Sequence, residues 1–326
     1  MSTLFTNKKI IEYSIQEEFL RNNIKYARHV IKDSQIYDLE VLFEINGKNI
    51  QIHKHKVDEA NAWRLQNTFD LIFKSIEKFN LDLNFFAIIN LNDGCGDEKI
   101  SRITTVGRHK DSNHIGIPDS LSWKIVNNGG YELFLKEDIP FENKLDKIVF
   151  RGSDTGKPEN NLSNQRLNFC NKYSNSELID AKITQIVGQK ESLMNELGFS
   201  LENIKGQPLS SSEQLKNKYL LYIYGNSVST DRLIWNLASN SFVIQLEPKN
   251  ENYDYIWYNK FIIENEILPS IKEENFIENF QNFIDQNDIF HINKKQKEFA
   301  SLFFDKDIYL EYTKEVLIKY NQIFNS

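Results

Sequence analysis

Three short stretches carry residue types that could do chemistry. From Lys147 to Pro158 the chain reads Lys-Ile-Val-Phe-Arg-Gly-Ser-Asp-Thr-Gly-Lys-Pro. Arg151 offers a planar fork of N–H donors suited to phosphate oxygens. Gly152 lets a backbone approach a ligand closely, and Ser153 and Thr155 add hydroxyls. The same residues also suit an ordinary polar turn after a strand. In the second stretch, Gly225-Asn226 makes a turn, and Ser229 and Thr230 stand where a helical pattern begins. There the backbone N–H groups and the helix dipole favour an anion; the plain alternative is an N-cap with nothing bound. Arg232, further along the same helix, could face the same pocket. The third stretch breaks a buried apolar run at Asn92-Asp93-Gly94. An acid just past such a strand faces the crevice where α/β folds bind ligands, although Asp-Gly is also a common turn pair. Glu247 ends a later strand, where an acid could hold ribose hydroxyls.

Other candidates read as structural. His53 and His55 flank Lys54 on an extended segment with no cysteine or carboxylate at ligand spacing, so they read as exposed strand histidines. Asp305-Lys306-Asp307 stands where a helix begins and reads as an N-cap. No P-loop, Gly-x-Ser-x-Gly elbow, zinc-type cysteine cluster or repeat occurs.

The elements that must position these residues alternate between strands and helices. Leu39–Ile45 and Lys48–His53 predict a hairpin around Asn46-Gly47. Asp58 opens a long helix with Trp63, Phe69, Ile72, Phe73, Ile76 and Phe79 on its apolar side. Phe85–Leu91 predicts a strand buried on both faces of a parallel sheet, and Ile148–Phe150 a second buried strand. A helix over Asn161–Asn171 carries Arg166. Residues 174–208 read as polar and irregular. Tyr219–Tyr224, Val228–Ser239 and Phe242–Leu246 predict a strand, a helix and a strand. Tyr253, Tyr255, Trp257 and Tyr258 form an aromatic cluster, for which packing is the default reading. Three helices close the chain, over Asn275–Ile284, Lys294–Phe304 and Ile308–Phe324.

Phe-Arg-Gly-Ser-Asp-Thr-Gly, with Arg166 following in Asn-Gln-Arg-Leu, resembles the signature loop of glycosyltransferase family 90. Lys218-Tyr219-Leu220, the Gly225–Thr230 turn and Ser239-Asn240-Ser241-Phe242-Val243-Ile244 resemble that family's second block, and Phe86–Asp93 resembles its aspartate-bearing strand. The resemblance covers roughly residues 80 to 325. His114 stands where the family has an aspartate, and Glu266-Ile267-Leu268-Pro269 lacks the histidine that the family has before its proline. The resemblance implies an α/β, GT-B-like fold of two Rossmann-like domains with a cleft between them. It implies metal-independent, inverting transfer of a sugar from a nucleotide donor, most simply a UDP-sugar, to a glycan, lipid-linked or protein acceptor. Surface polysaccharide, capsule or lipopolysaccharide synthesis is the implied setting. Asp93 becomes the catalytic base. Arg151, Gly152, Ser153, Thr155, Gly225, Asn226, Ser229, Thr230 and Arg232 become the donor-binding set, with no metal and no separate cofactor. A catalytically inactive binder of nucleotide sugars or glycans with the same fold is the alternative.

The whole chain is compatible with that reading. Its 326 residues allow two domains, expected over 1–140 (acceptor side) and 145–305 (nucleotide sugar), with a final helix at 306–326 able to cross back to the first. A net charge of -7 argues against nucleic acid as a partner and leaves at most peripheral membrane contact. Two cysteines and the lack of a signal-type or spanning apolar run fit a cytoplasmic setting, with room for work at the inner face of a membrane.

Overall fold

The computed structural model describes residues 38–91, 103–104, 108–109, 115–156, 158–160, 163–187, 198, 200–225, 230–249, 254–255 and 257–326, together with scattered helical positions between Arg21 and Val30. The chain is α/β and divides into two compact units. One comprises Met1–Gly130, Asn252–Glu264 and Leu302–Ser326, the other Tyr131–Glu251 and Asn265–Ser301.

The first unit is built on a five-stranded sheet of order β2-β1-β3-β4-β6. Strands β1 (Glu40–Gly47) and β2 (Asn49–His55) form an antiparallel hairpin. Its turn needs Gly47, whose φ of +64° is one that side chains rarely adopt. Strand β3 (Leu83–Asn90) runs antiparallel to β1 and parallel to β4 (Ile103–Thr104), which runs parallel to β6 (Ile115–Gly116). The sheet is therefore mixed, and the expectation of a wholly parallel setting for β3 is corrected. A continuous apolar run reports burial on both faces, not the direction of its neighbours.

Helix α1 (Ala62–Phe79) follows one 3-10 turn whose entry is capped by Asp58, which accepts from the Asn61 N–H at 2.9 Å. It buries Thr68, Leu71, Ile72, Ser75 and Ile76, and leaves Phe73 at 43% exposure. The buried stripe is thus set by small and polar residues as well as large ones, which moves it off Phe73. Helix α2 (Ser120–Asn127) is capped by Asp119, and its Trp123 indole donates to Asp70 at 2.8 Å. The last helix, α7 (Lys306–Phe324), starts on an Asp305 cap. It belongs to this first unit, where the Tyr320 hydroxyl donates to the Phe86 carbonyl at 2.9 Å and the Tyr312 hydroxyl to that of Gly116 at 2.9 Å. The segment 252–264 also belongs here: β13 (Asp254–Tyr255) pairs with β5 (Arg108–His109). Trp257 and Tyr258 are buried against Tyr312 and Phe303, with ring centroids 4.3 and 4.6 Å away respectively. These aromatics build core.

The second unit holds a five-stranded, wholly parallel sheet of order β10-β7-β11-β12-β14. Its strands are β7 (Leu145–Ser153), β10 (Ile179–Gln185), β11 (Asn217–Tyr222), β12 (Phe242–Leu246) and β14 (Ser270–Ile271). One face packs Ile148, Phe150, Ile179, Ala181, Tyr219, Leu221, Phe242 and Ile244 into a single core with Leu167, Phe169 and Phe276. Strand β10 lies in the stretch that reads as irregular. Its Ile-Asp-Ala-Lys-Ile-Thr-Gln alternation is half polar because its second face carries Asp180 and Lys182. A small hairpin, β8 (Pro158–Asn160) with β9 (Ser163–Asn164), leads into helix α3 (Gln165–Lys172). Helices α4 (Thr230–Ala238), α5 (Phe276–Gln286) and α6 (Ile289–Ser301) complete the unit. Gln296 of α6 accepts from the Val243 N–H at 3.2 Å and donates to its carbonyl at 2.8 Å, serving backbone groups of β12 ahead of its pairing with β14. Among the described residues, no helix is long and apolar enough to cross a membrane.

Candidate functional site

In an open α/β sheet the loops at the carboxyl ends of the strands form the ligand-binding edge. At that edge of the second unit, β7 ends in Arg151-Gly152-Ser153, and β11 is followed by Ile223, Tyr224 and Gly225. Helix α4 opens just beyond, at Thr230. Asp93, Asn226 and Ser229 lie outside the described residues, as does the side chain of Thr230.

Four of the five N–H donors of the Arg151 guanidinium are taken up inside the protein. Nη2 donates to Asp180 Oδ2 at 2.7 Å, Nη1 to the carbonyls of Asp180 and Phe150 at 2.8 and 2.9 Å, and Nε to that of Gln207 at 3.3 Å. The residue is only 9% exposed. What the end of β7 presents is a braced loop. Ser153 Oγ and Thr155 Oγ1 are 2.8 Å apart. Asp154 is buried and accepts from the Val187 N–H at 2.7 Å, and its own carbonyl accepts from the Asn164 side chain. Asn164 in turn caps α3.

Arg166, in the first turn of α3, joins the two strand ends. Its Nη1 donates to the Ser153 carbonyl at 3.2 Å and to Thr155 Oγ1 at 3.0 Å. Its Nε and Nη2 fork onto the Ile223 carbonyl at 3.2 and 2.9 Å. The guanidinium carbon lies 5.6 Å from the Phe150 ring centroid, a cation–π contact. Both glycines of the site answer to this arrangement. A Cβ on Gly225 would stand 2.8 Å from Arg166 Nη2, and one on Gly152 would stand 2.8 Å from Phe150 Cζ and 3.4 Å from Arg166 Nη1. The sequence reading gives Gly152 close approach to a ligand and Gly225 a turn; in the structure an added Cβ would meet Phe150 at the first and Arg166 at the second.

Arg232 reaches back from the first turn of α4, and its Nη1 donates to the Arg151 carbonyl. Burial, and then the neighbouring Arg232 charge, pull the Arg166 guanidinium down to about 10; Asp154 offsets this only weakly. Arg166 remains a cation at neutral pH. Among the described residues neither Arg166 nor Arg232 forms an ion pair with a carboxylate. Two like charges, one of them desolvated, are thus neighbours near the start of α4, and among the described residues neither is paired with a carboxylate.

Compared with known proteins, the chain matches no protein-family model and no curated protein sequence.

Glu247 is exposed just past β12, and its carbonyl accepts from the Gln165 side chain at 2.7 Å. His53 pairs with Glu44 across the first unit's hairpin at 2.8 Å, and among the described residues no third ligand joins them. The sequence reading does not single out Asp180, hidden in a stretch that reads as irregular, and it names Arg166 with the signature loop without placing it in the donor-binding set.

Proposed function

We propose that this protein is an inverting, metal-independent glycosyltransferase of GT-B-like fold. It moves a sugar from a nucleotide donor, a UDP-sugar, to an acceptor hydroxyl in surface-glycan synthesis. The observation that carries the reading is the Arg166–Arg232 pair at the carboxyl edge of a parallel sheet. Placing a buried cation beside a second one is costly unless an anion compensates, and a nucleoside diphosphate is the anion that α/β crevices of this kind commonly hold. The resemblance of the Arg151 and Gly225 loops to glycosyltransferase family 90 supplies the sugar.

In this reading Arg232 and the N–H groups at the start of α4 receive the diphosphate, and the braced 151–155 loop lies against it. As the bond between the anomeric carbon and the diphosphate oxygen breaks, these donors stabilise the charge growing on the leaving group. The acceptor oxygen attacks from the opposite face, and its proton passes to the Asp93 carboxylate. The anomeric configuration inverts.

The test is a thermal-shift screen against a panel of nucleotide sugars, followed by UDP-release assays on those that stabilise the protein. Stabilisation by a UDP-sugar with release of UDP in the presence of EDTA supports the proposal. Stabilisation without release under any acceptor identifies a binding protein instead. No stabilisation by any nucleotide sugar removes the anion-site reading.

A further inference from the structure

We infer that Arg166 is a positioning residue: a buried guanidinium strut that sets the spacing between the ends of β7 and β11, and with it the geometry of the anion site. The inference rests on the anion-site reading above. Of the five N–H donors of a guanidinium, one on Nε, two on Nη1 and one on Nη2 are given to the Ser153 and Ile223 carbonyls and to Thr155 Oγ1. Those acceptors sit on the two strand ends in question. The residue is 7% exposed and packed against Phe150, so its contribution to a ligand passes through the loops it holds.

The glycine beside it makes the strut testable. Gly225 has no left-handed φ, so its φ does not by itself call for glycine. What excludes a side chain is the guanidinium: a Cβ there would lie 2.8 Å from Nη2, 3.0 Å from Cζ and 3.1 Å from Nη1. Gly225→Ala must therefore displace Arg166, and its cost must vanish when the guanidinium is gone. An ordinary core arginine would show no such coupling in ligand affinity.

The experiment is a double-mutant cycle on the full chain, with Gly225→Ala and Arg166→Gln alone and combined. UDP affinity is read by calorimetry and stability by melting temperature. Each single variant should weaken UDP binding about tenfold, within the range of coupling seen for residues in contact. Adding Gly225→Ala to Arg166→Gln should change affinity by less than about twofold. Equal cost of Gly225→Ala in both backgrounds would overturn the inference. Melting temperatures that couple while the folded Arg166→Gln variant keeps wild-type UDP affinity would also overturn it, leaving a merely structural arginine. If Arg166→Gln does not fold, Arg166→Lys replaces it, since a slim ammonium frees the same space and can still reach the Ile223 carbonyl. A wild-type protein that binds no UDP would sink the functional reading, while the melting-temperature cycle still decides whether the strut exists.

Discussion

Arg151 Nη2 lies 2.7 Å from Asp180 Oδ2, so the fixed charge at the end of β7 is clamped to the edge strand β10. Three further donors go to the backbone carbonyls of Phe150, Asp180 and Gln207. The side chain therefore holds the loop in place.

Arg151→Ala is accordingly expected to destabilise the fold by about 1–3 kcal/mol, the cost of leaving buried acceptors unmet. Asp180→Asn should cost less, because its carboxylate is partly solvated and the carbonyl bonds survive. Urea unfolding at constant m-value measures both. An unchanged midpoint for Arg151→Ala would show that the clamp contributes nothing.

Arg232→Ala should behave in the opposite way. Its guanidinium is half-buried and, besides the Arg151 carbonyl, meets no acceptor among the described residues. Removing it also relieves repulsion on Arg166. Stability should change little, while UDP affinity falls by about 1.5–3 kcal/mol, the worth of charge-assisted hydrogen bonds. Calorimetry on the folded variant reads this; unaltered affinity would remove Arg232 from the site.

Much of this edge is legible in the sequence because local signals and tertiary role agree. Ile148–Phe150 and Phe242–Leu246 are apolar runs of strand length with polar breaks, and they form core strands of the parallel sheet. Strand β10 is not legible, because alternation of Asp180 and Lys182 with apolar residues in a polar neighbourhood gives no run to notice. The function of side chains is less legible than their position. Arg151 looks like an anion-binding arginine in the sequence and Arg166 like one member of a signature loop; only their partners show that one grips Asp180 and the other bridges two strand ends. Gly225 likewise announces a turn, and only the guanidinium beside it shows what it makes room for.

Cys170 gives a prediction independent of any ligand. It is fully buried in α3, and burial pushes its thiol up from 9.0 to about 12. A raised folded-state value means that folding favours the protonated thiol. This contribution is fully present below pH 9 and is lost as pH climbs through about 12. Within that window its slope approaches ~1.4 kcal/mol per pH unit. Cys170→Ala should therefore lose stability less steeply than the wild type in alkaline denaturation. In the native protein at pH 8 this thiol should react with a disulfide reagent only as fast as the chain opens. Identical alkaline slopes for the two proteins would contradict the assignment.

The last prediction concerns the proton. Asp93 follows β3, whose final residues are buried and paired on both sides, with Ile89 opposite Val41 and Ile103, so the chain leaves the sheet from a fixed point. An alcohol is a poor nucleophile at neutral pH, and a carboxylate within about 3 Å can take its proton as the new bond forms. Asp97 and Asp111 are the competing acids nearby in sequence, but neither directly follows the strand. Asp93→Asn keeps the shape and removes the base. Turnover should fall about 10²–10⁴-fold. UDP affinity should stay near the wild-type value, because the proposed diphosphate donors belong to the unit formed by Tyr131–Glu251 and Asn265–Ser301 and Asp93 does not. Steady-state UDP release and calorimetry on one preparation separate the two quantities, and NMR of the product reads its anomeric configuration. Near-normal turnover by the variant would move the base to another acid. A product that keeps the donor's configuration would rule out single-displacement attack altogether.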